Sequence, residues 1–174
     1  GNLPDATLAS LRGDIEVVVR AARQRRVRLP HVEFRVVSLE HAQEPVPGIP
    51  PHAVVKPRPP ASARFRERCA WETQRQSFQF LRRGGTLWVV AGGLEGAVHG
   101  VDEALERLTG VFWGGVQEED TLFGPCRPLP RGVVTPSFPY RFRDGSGPTR
   151  GDEEQFLLWL SRTRHSGRVY ASHG

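Results

Sequence analysis

The chain has 174 residues, of which 38% are hydrophobic and 25% charged, with 19 Gly, 15 Pro and a formal net charge of +5. That length suits one domain, or one plus a fragment of another, and excludes a complete (β/α)₈ barrel, which takes about 250 residues. No run reaches the ~18 apolar residues of a membrane span and no signal-peptide pattern opens the chain, so no membrane partner is expected.

In chain order, Asp14 to Arg20 (DIEVVVR) read as a strand because β-branched residues fill them. Val32 to Leu39 alternate for part of their length and read as a second strand. Between the two, Ala21 to Arg28 fit either a short basic helix or an extension of the first strand. Prolines at 45, 47, 50, 51, 57, 59 and 60 then remove backbone donors and fix φ. This stretch reads as a long insertion within one α+β domain, because what precedes it is too short to close its own core.

The middle of the chain is the most legible. Ser77–Leu81 and Thr86–Val90 are apolar runs joined through Gly84-Gly85, the pattern of a β-hairpin. Ala91-Gly92-Gly93 breaks the extension. Leu94, Ala97, Val98, Val101, Ala104, Leu105 and Leu108 then recur at helical spacing, Gly110 supplies the stop, and Val111-Phe112-Trp113 follow as a short strand. Residues 77–113 are therefore expected to form a strand–turn–strand–helix–strand unit. Residues 114–136, rich in Gly and Pro, are expected to run over the surface. From Tyr140 a short strand, a helix over Asp152–Arg164 capped by Thr149 or Asp152, and a strand after Gly167 make a βαβ unit.

The positive charge invites a nucleic-acid reading, but its distribution weighs against one. Of the 24 basic residues only Lys56 is lysine, a bias that, with abundant Ala, Gly, Pro and Val, reads as the imprint of GC-rich coding. The cluster Arg20, Arg23, Arg25, Arg26 and Arg28 has no aromatic residue to stack a base; the cluster Arg64, Arg66 and Arg68 has Phe65 and Trp71 nearby. Cys69 and Cys126 are too few for a disulfide scaffold and too isolated for a zinc site. Pairing and free thiols both remain open for them. Gly1-Asn2 and the absence of Met read as a processed or trimmed chain, whose original targeting is unreadable.

The segment from Thr86 through Gly92, Gly93 and Gly96 into a helix approaches the dinucleotide fingerprint G-x-G-x-x-G. Ala91 stands at the first glycine position, however, and no carboxylate ends the following strand. The glycines read better as structural: Gly92 and Gly93 for the turn, Gly96 and Gly100 on one helix face for close approach to a sheet, and Gly110 for the stop. His99, between them, reads as a hydrogen-bonded structural residue. Adjacent acids occur at Asp102-Glu103, Glu118-Glu119-Asp120 and Asp152-Glu153-Glu154. The first and third are expected on exposed helix turns and the second in a loop, so none makes a catalytic pair. No nucleophile motif stands out, and neither a cofactor nor a metal is called for.

The string Gly85-Thr-Leu-Trp-Val-Val-Ala-Gly-Gly-Leu-Glu-Gly-Ala-Val-His-Gly-Val-Asp-Glu-Ala-Leu-Glu-Arg-Leu108, followed by Gly110-Val-Phe-Trp113 and Pro136-Ser-Phe-Pro-Tyr-Arg141, resembles the small domain that precedes the catalytic barrel in β-N-acetylhexosaminidases and α-glucuronidases. The resemblance covers residues 77–174 and fits residues 1–76 only loosely. It departs at His99, where the family often has Tyr, and after Arg141, where Phe142-Arg143-Asp144-Gly145 replaces Arg-Gly and an apolar run to Asp. It implies an α+β accessory domain over residues 1–135, a small mostly antiparallel sheet with helices on one face. Residues 136–174 would then be the first strand–helix–strand of an incomplete barrel.

By the same resemblance, Arg141 would reach the hydroxyls of the terminal sugar, a task that suits the fork of donors on a guanidinium. The family's catalytic carboxylates belong to later barrel strands. The expectation is therefore an accessory domain, inactive alone, whose carbohydrate partner is met through the missing barrel, in a secreted or periplasmic setting. Sugar specificity is left open between amino sugar and uronic acid. A carbohydrate- or protein-binding module is the alternative, and a basic nucleic-acid-binding domain a lesser one. An exposed Phe156, Leu157, Trp159 and Leu160 would favour self-association.

Overall fold

The computed structural model describes residues 3–42, 48–49, 58–114 and 118–135. In chain order they form helix α1 (Asp5–Gln24), strand β1 (Glu33–Ser38) running into a 3₁₀ turn at Leu39–His41, and helix α2 (Phe65–Gln76). Strands β2 (Phe78–Arg83) and β3 (Thr86–Ala91), helix α3 (Leu94–Thr109) and strand β4 (Val111–Trp113) come next. A 3₁₀ turn at Glu118–Asp120, strand β5 (Thr121–Phe123) and strand β6 (Val133–Val134) complete the description. The fold is α+β. The expected barrel start at 136–174, with Arg141, Asp152-Glu153-Glu154 and the apolar side chains at 156–160, lies outside the described residues.

Local chemistry explains the middle of the chain. Arg83 pairs with Thr86, so the β2–β3 hairpin turns on two residues, Gly84 and Gly85. Gly84 alone of the two has positive φ, +58°, as a type II′ turn requires at its first central position. Helix α3 ends at Gly110 with φ +73°, the left-handed C-cap that glycine adopts without Cβ strain.

The strand expected over Asp14–Arg20 is instead the middle of α1. Leu11, Asp14, Val18, Ala21 and Ala22 are its buried positions, together with Val17. That three-and-four spacing is a buried stripe on a helix, apolar except at Asp14. β-branched residues lower helix propensity only slightly, and packing of the stripe overrides the local preference of Val17-Val18-Val19. Helix α2 was not anticipated either: the residues it buries are Trp71, Glu72 and Gln76, so no apolar periodicity marks it.

The main sheet has the order β1-β3-β2-β6 and is mixed. β1 runs parallel to β3 with Glu33 opposite Thr86 and Ser38 opposite Ala91, while β2 is antiparallel to both β3 and β6. β4 is not part of that sheet and pairs antiparallel with β5 as a separate two-stranded ribbon. The stretch after residue 114, expected as surface loop, thus contributes two short strands. One core unites these parts: Phe78, Val89 and Ala91 of the sheet, Ala97, Val101 and Leu105 of α3, Leu11, Val17 and Val18 of α1, and Val111 and Trp113 of β4. Cys69 and Cys126 are both free thiols. No described helix is long and apolar enough to cross a membrane.

Candidate functional site

The carboxyl ends of the parallel strands β1 and β3 meet the start of α3, the kind of place where open α/β sheets hold ligands. Backbone hydrogen bonds tie this corner together. Gly92 N–H donates to the Ser77 carbonyl at 2.9 Å, Gly93 N–H to the Arg75 carbonyl at 2.7 Å, and Glu40 N–H to the Gly92 carbonyl at 2.9 Å. The amides of Gly92 and Gly93, which a dinucleotide phosphate would need, are therefore engaged by the chain itself. A Cβ on Gly92 would lie 2.1 Å from the Gln74 carbonyl oxygen, and one on Gly93 2.9 Å from the Glu40 carboxylate. A Cβ on Gly96 would lie 2.6 and 2.8 Å from the Arg75 and Ser77 carbonyl oxygens rather than on the sheet; Gly100 is the glycine that rests on the sheet, where a Cβ would lie 2.4 Å from Val89 Cγ1. A Cβ on Gly110 would meet the Gly124 carbonyl at 2.0 Å.

Arg75 closes the corner. Its Nε donates to Glu40 at 3.0 Å, its Nη2 lies 2.9 Å from Glu95, its Nη1 lies 3.7 Å from Glu72, and its guanidinium stacks 4.7 Å from the Trp71 ring centre. Burial alone would lower the guanidinium pKa, but Glu95, Glu40 and Glu72 together raise it. One cation thus joins the turn after β1, the end of α2 and the first turn of α3. Sequence reasoning passed over Arg75; a cation three residues before a strand, with acids scattered at 40, 72 and 95, carries no local signature. Beside it a cleft of about 370 Å³ opens between Thr73, Gln74, Gln79, Val90 and Val133. Its rim includes Ser77, whose Oγ lies 3.3 Å from Thr135 Oγ1.

The far side of α3 corrects a second expectation. Asp102 and Glu103, expected on an exposed turn, are 0% and 5% exposed. Asp102 is two residues beyond Gly100, about 200° around the helix, so it occupies nearly the opposite side from the sheet. His99 is buried as well. Glu103 pairs with Arg107, whose Nη1 donates to the Pro128 carbonyl at 2.9 Å, while Arg127 N–H donates to the Arg107 carbonyl at 2.7 Å. Burial raises the Glu106 carboxyl above its ordinary range, with Arg127 and Arg107 opposing the shift. Among the carboxylates in the expected surface loop, Glu118, Glu119 and Asp120 form the 3₁₀ turn, and the Glu119 carbonyl accepts from Arg25 at 2.8 Å.

Among the described residues no cluster of His, Cys, Asp and Glu is arranged to hold a metal ion. Every acid around Arg75 shares that one guanidinium, an arrangement that locks elements together rather than presenting a reactive group. Arg141 lies outside the described residues. Compared with known proteins, the chain matches no family model, no curated protein and no solved structure.

Proposed function

We propose that this chain is the non-catalytic accessory domain of a glycoside hydrolase of the β-N-acetylhexosaminidase or α-glucuronidase type, carrying the first strand–helix–strand of the catalytic barrel. The observation that carries the reading is the double burial of α3. Gly100 lets one face lie directly on β3, and the opposite face buries Asp102 completely. The cover on that face is the chain's own, helices α1 and α2, and a helix enclosed between its own sheet and its own helices suits the small α+β accessory domain that the resemblance implies. The glycine-marked entry into α3 agrees with the resemblance read from the same residues.

In this reading the chain supplies no acid, base or nucleophile. Its contribution to sugar binding is Arg141, through bidentate hydrogen bonds to adjacent hydroxyls. The test is kinetic, on the enzyme that contains this chain, with aryl N-acetylglucosaminide and glucuronoxylan oligosaccharide substrates. Arg141→Ala is expected to lower kcat/KM by roughly tenfold or more, as loss of a charged hydrogen-bond donor to substrate does. Unchanged kinetics would remove Arg141 from the sugar site.

A further inference from the structure

A second feature lies at the other end of α3 and does not depend on the accessory-domain reading. Between α1, the loop entering β1 and the last turns of α3 is an open-sided cleft of about 380 Å³, within the ~300–1,000 Å³ typical of small-molecule sites. Its floor is apolar: Val18 is 1% exposed and Leu105 4%. Leu29 and Phe34 form a wall, and Val19, 40% exposed, stands at the lip. The polar side chains lining it are His31 and Thr109, and the Thr109 hydroxyl is committed to the Leu105 carbonyl at 2.6 Å and the Val111 amide at 3.1 Å.

The surroundings of this apolar cleft are cationic. Arg12 and Arg23 stand seven residues before and four after Val19, which places both on its side of α1. Arg26 and Arg28 sit on the stretch leading from α1 to Leu29, and all four arginines are exposed. Glu16 on α1 and Glu33 at the start of β1 are the neighbouring exposed carboxylates, and Glu33 already faces Arg35 at 3.5 Å. A helix C-terminus accounts for a basic residue in the last turn. It does not account for Arg12 three turns earlier or for Arg28 beyond the helix.

We propose that this cleft binds a medium-chain aliphatic carboxylate, with the tail on Val18, Leu105 and Phe34 and the head group turned toward the exposed arginines of α1 and the stretch that follows it. Guanidinium forks match a carboxylate geometrically, and the apolar floor supplies the tail with area to bury. The experiment titrates decanoate, decanol and decyltrimethylammonium, each below its micelle concentration, into the 174-residue chain by calorimetry. Decanoate is expected to bind most tightly, decanol more weakly, and the cation not detectably.

Arg23→Gln combined with Arg26→Gln, both at exposed positions, is expected to weaken decanoate about tenfold while leaving decanol unchanged. Val19→Glu, also at an exposed position, is expected to weaken decanoate more than decanol. Equal binding of all three amphiphiles would overturn the proposal, as would an unchanged decanoate affinity in the double variant with a native circular dichroism spectrum. Failure of decanoate to bind, with saturation instead by an acidic amphipathic peptide, would overturn it too and reassign the cleft to a protein partner.

Discussion

Helices α1 and α3 pack against each other and each buries an aspartate, yet they differ in how far they are enclosed. In α3 the charged residues Asp102 and Glu103 are buried, and Gly100 lies where a side chain would strike the sheet. In α1 the arginines point to solvent, and Gly13 has nothing within 4 Å of where its Cβ would be. The difference separates the two roles. α3 is the element around which the sheet, α1 and α2 are arranged, so its sequence is constrained on every side. α1 is held by one stripe and tolerates an underfilled seam along its edge.

Arg75→Met should have the largest effect on that contrast. It removes the one cation shared by Glu40, Glu72 and Glu95 at the entrance to α3. Breaking a buried pair by removing one partner costs about 3–5 kcal/mol; with Glu40 and Glu95 partly exposed, the loss here should lie at the low end, still a large share of the ~5–15 kcal/mol stability of an ordinary domain. Urea unfolding should show the midpoint falling accordingly, and a midpoint within error of the parent would show that the corner is held by its backbone bonds alone.

Gly92→Ala comes next, at about 3 kcal/mol. The new Cβ meets the backbone of Gln74, which is fixed in α2 and cannot rotate away. Gly13→Ala sharpens the comparison from the other side. The same change in the open interior of α1 should stabilise the protein by up to ~1 kcal/mol, because alanine loses less backbone freedom in a helix. Thermal melts of the pair should move in opposite directions; a parallel shift would mean that the two helices are not distinguished by packing.

These contrasts also show why some of the fold was legible in the sequence and some was not. The hairpin, α3 and its glycine stop depend on residues adjacent in sequence, and their limits lie within about two residues of those read from the pattern. α1 was misread because five residues, Ile15 to Val19, look like a strand when taken alone, although Leu8, Leu11, Ile15, Val18 and Ala22 carry the helical period on both sides. The parallel pairing of β1 with β3 joins residues 53 apart, and no local pattern encodes it. At the candidate site the glycines were visible, but the convergence of Arg75 with three acids and the burial of Asp102 follow from packing between distant elements. The apolar cleft was hidden for the same reason, since its walls come from three separate segments.

Glu106→Gln should have the smallest effect. Burial raises the Glu106 carboxyl in the folded protein, so the native state holds this proton more tightly than the unfolded chain does. Its contribution to stability therefore falls as pH rises from the unfolded carboxyl range, near 4.3, through the raised folded value. The glutamine variant should gain about 0.5 kcal/mol or less at neutral pH, and the gain should vanish in acid. A gain independent of pH would assign the effect to packing instead of ionisation.

The accessory-domain account is tested most directly by comparing hydrolysis by the reading frame that contains this chain with hydrolysis by the 174-residue chain alone, on aryl N-acetylglucosaminide and glucuronoxylan oligosaccharide substrates. The account predicts that the longer protein cleaves one of these sugars and that the isolated chain cleaves neither. Cleavage by the isolated chain would contradict it, as would a reading frame that stops at Gly174 or a longer protein without glycosidase activity.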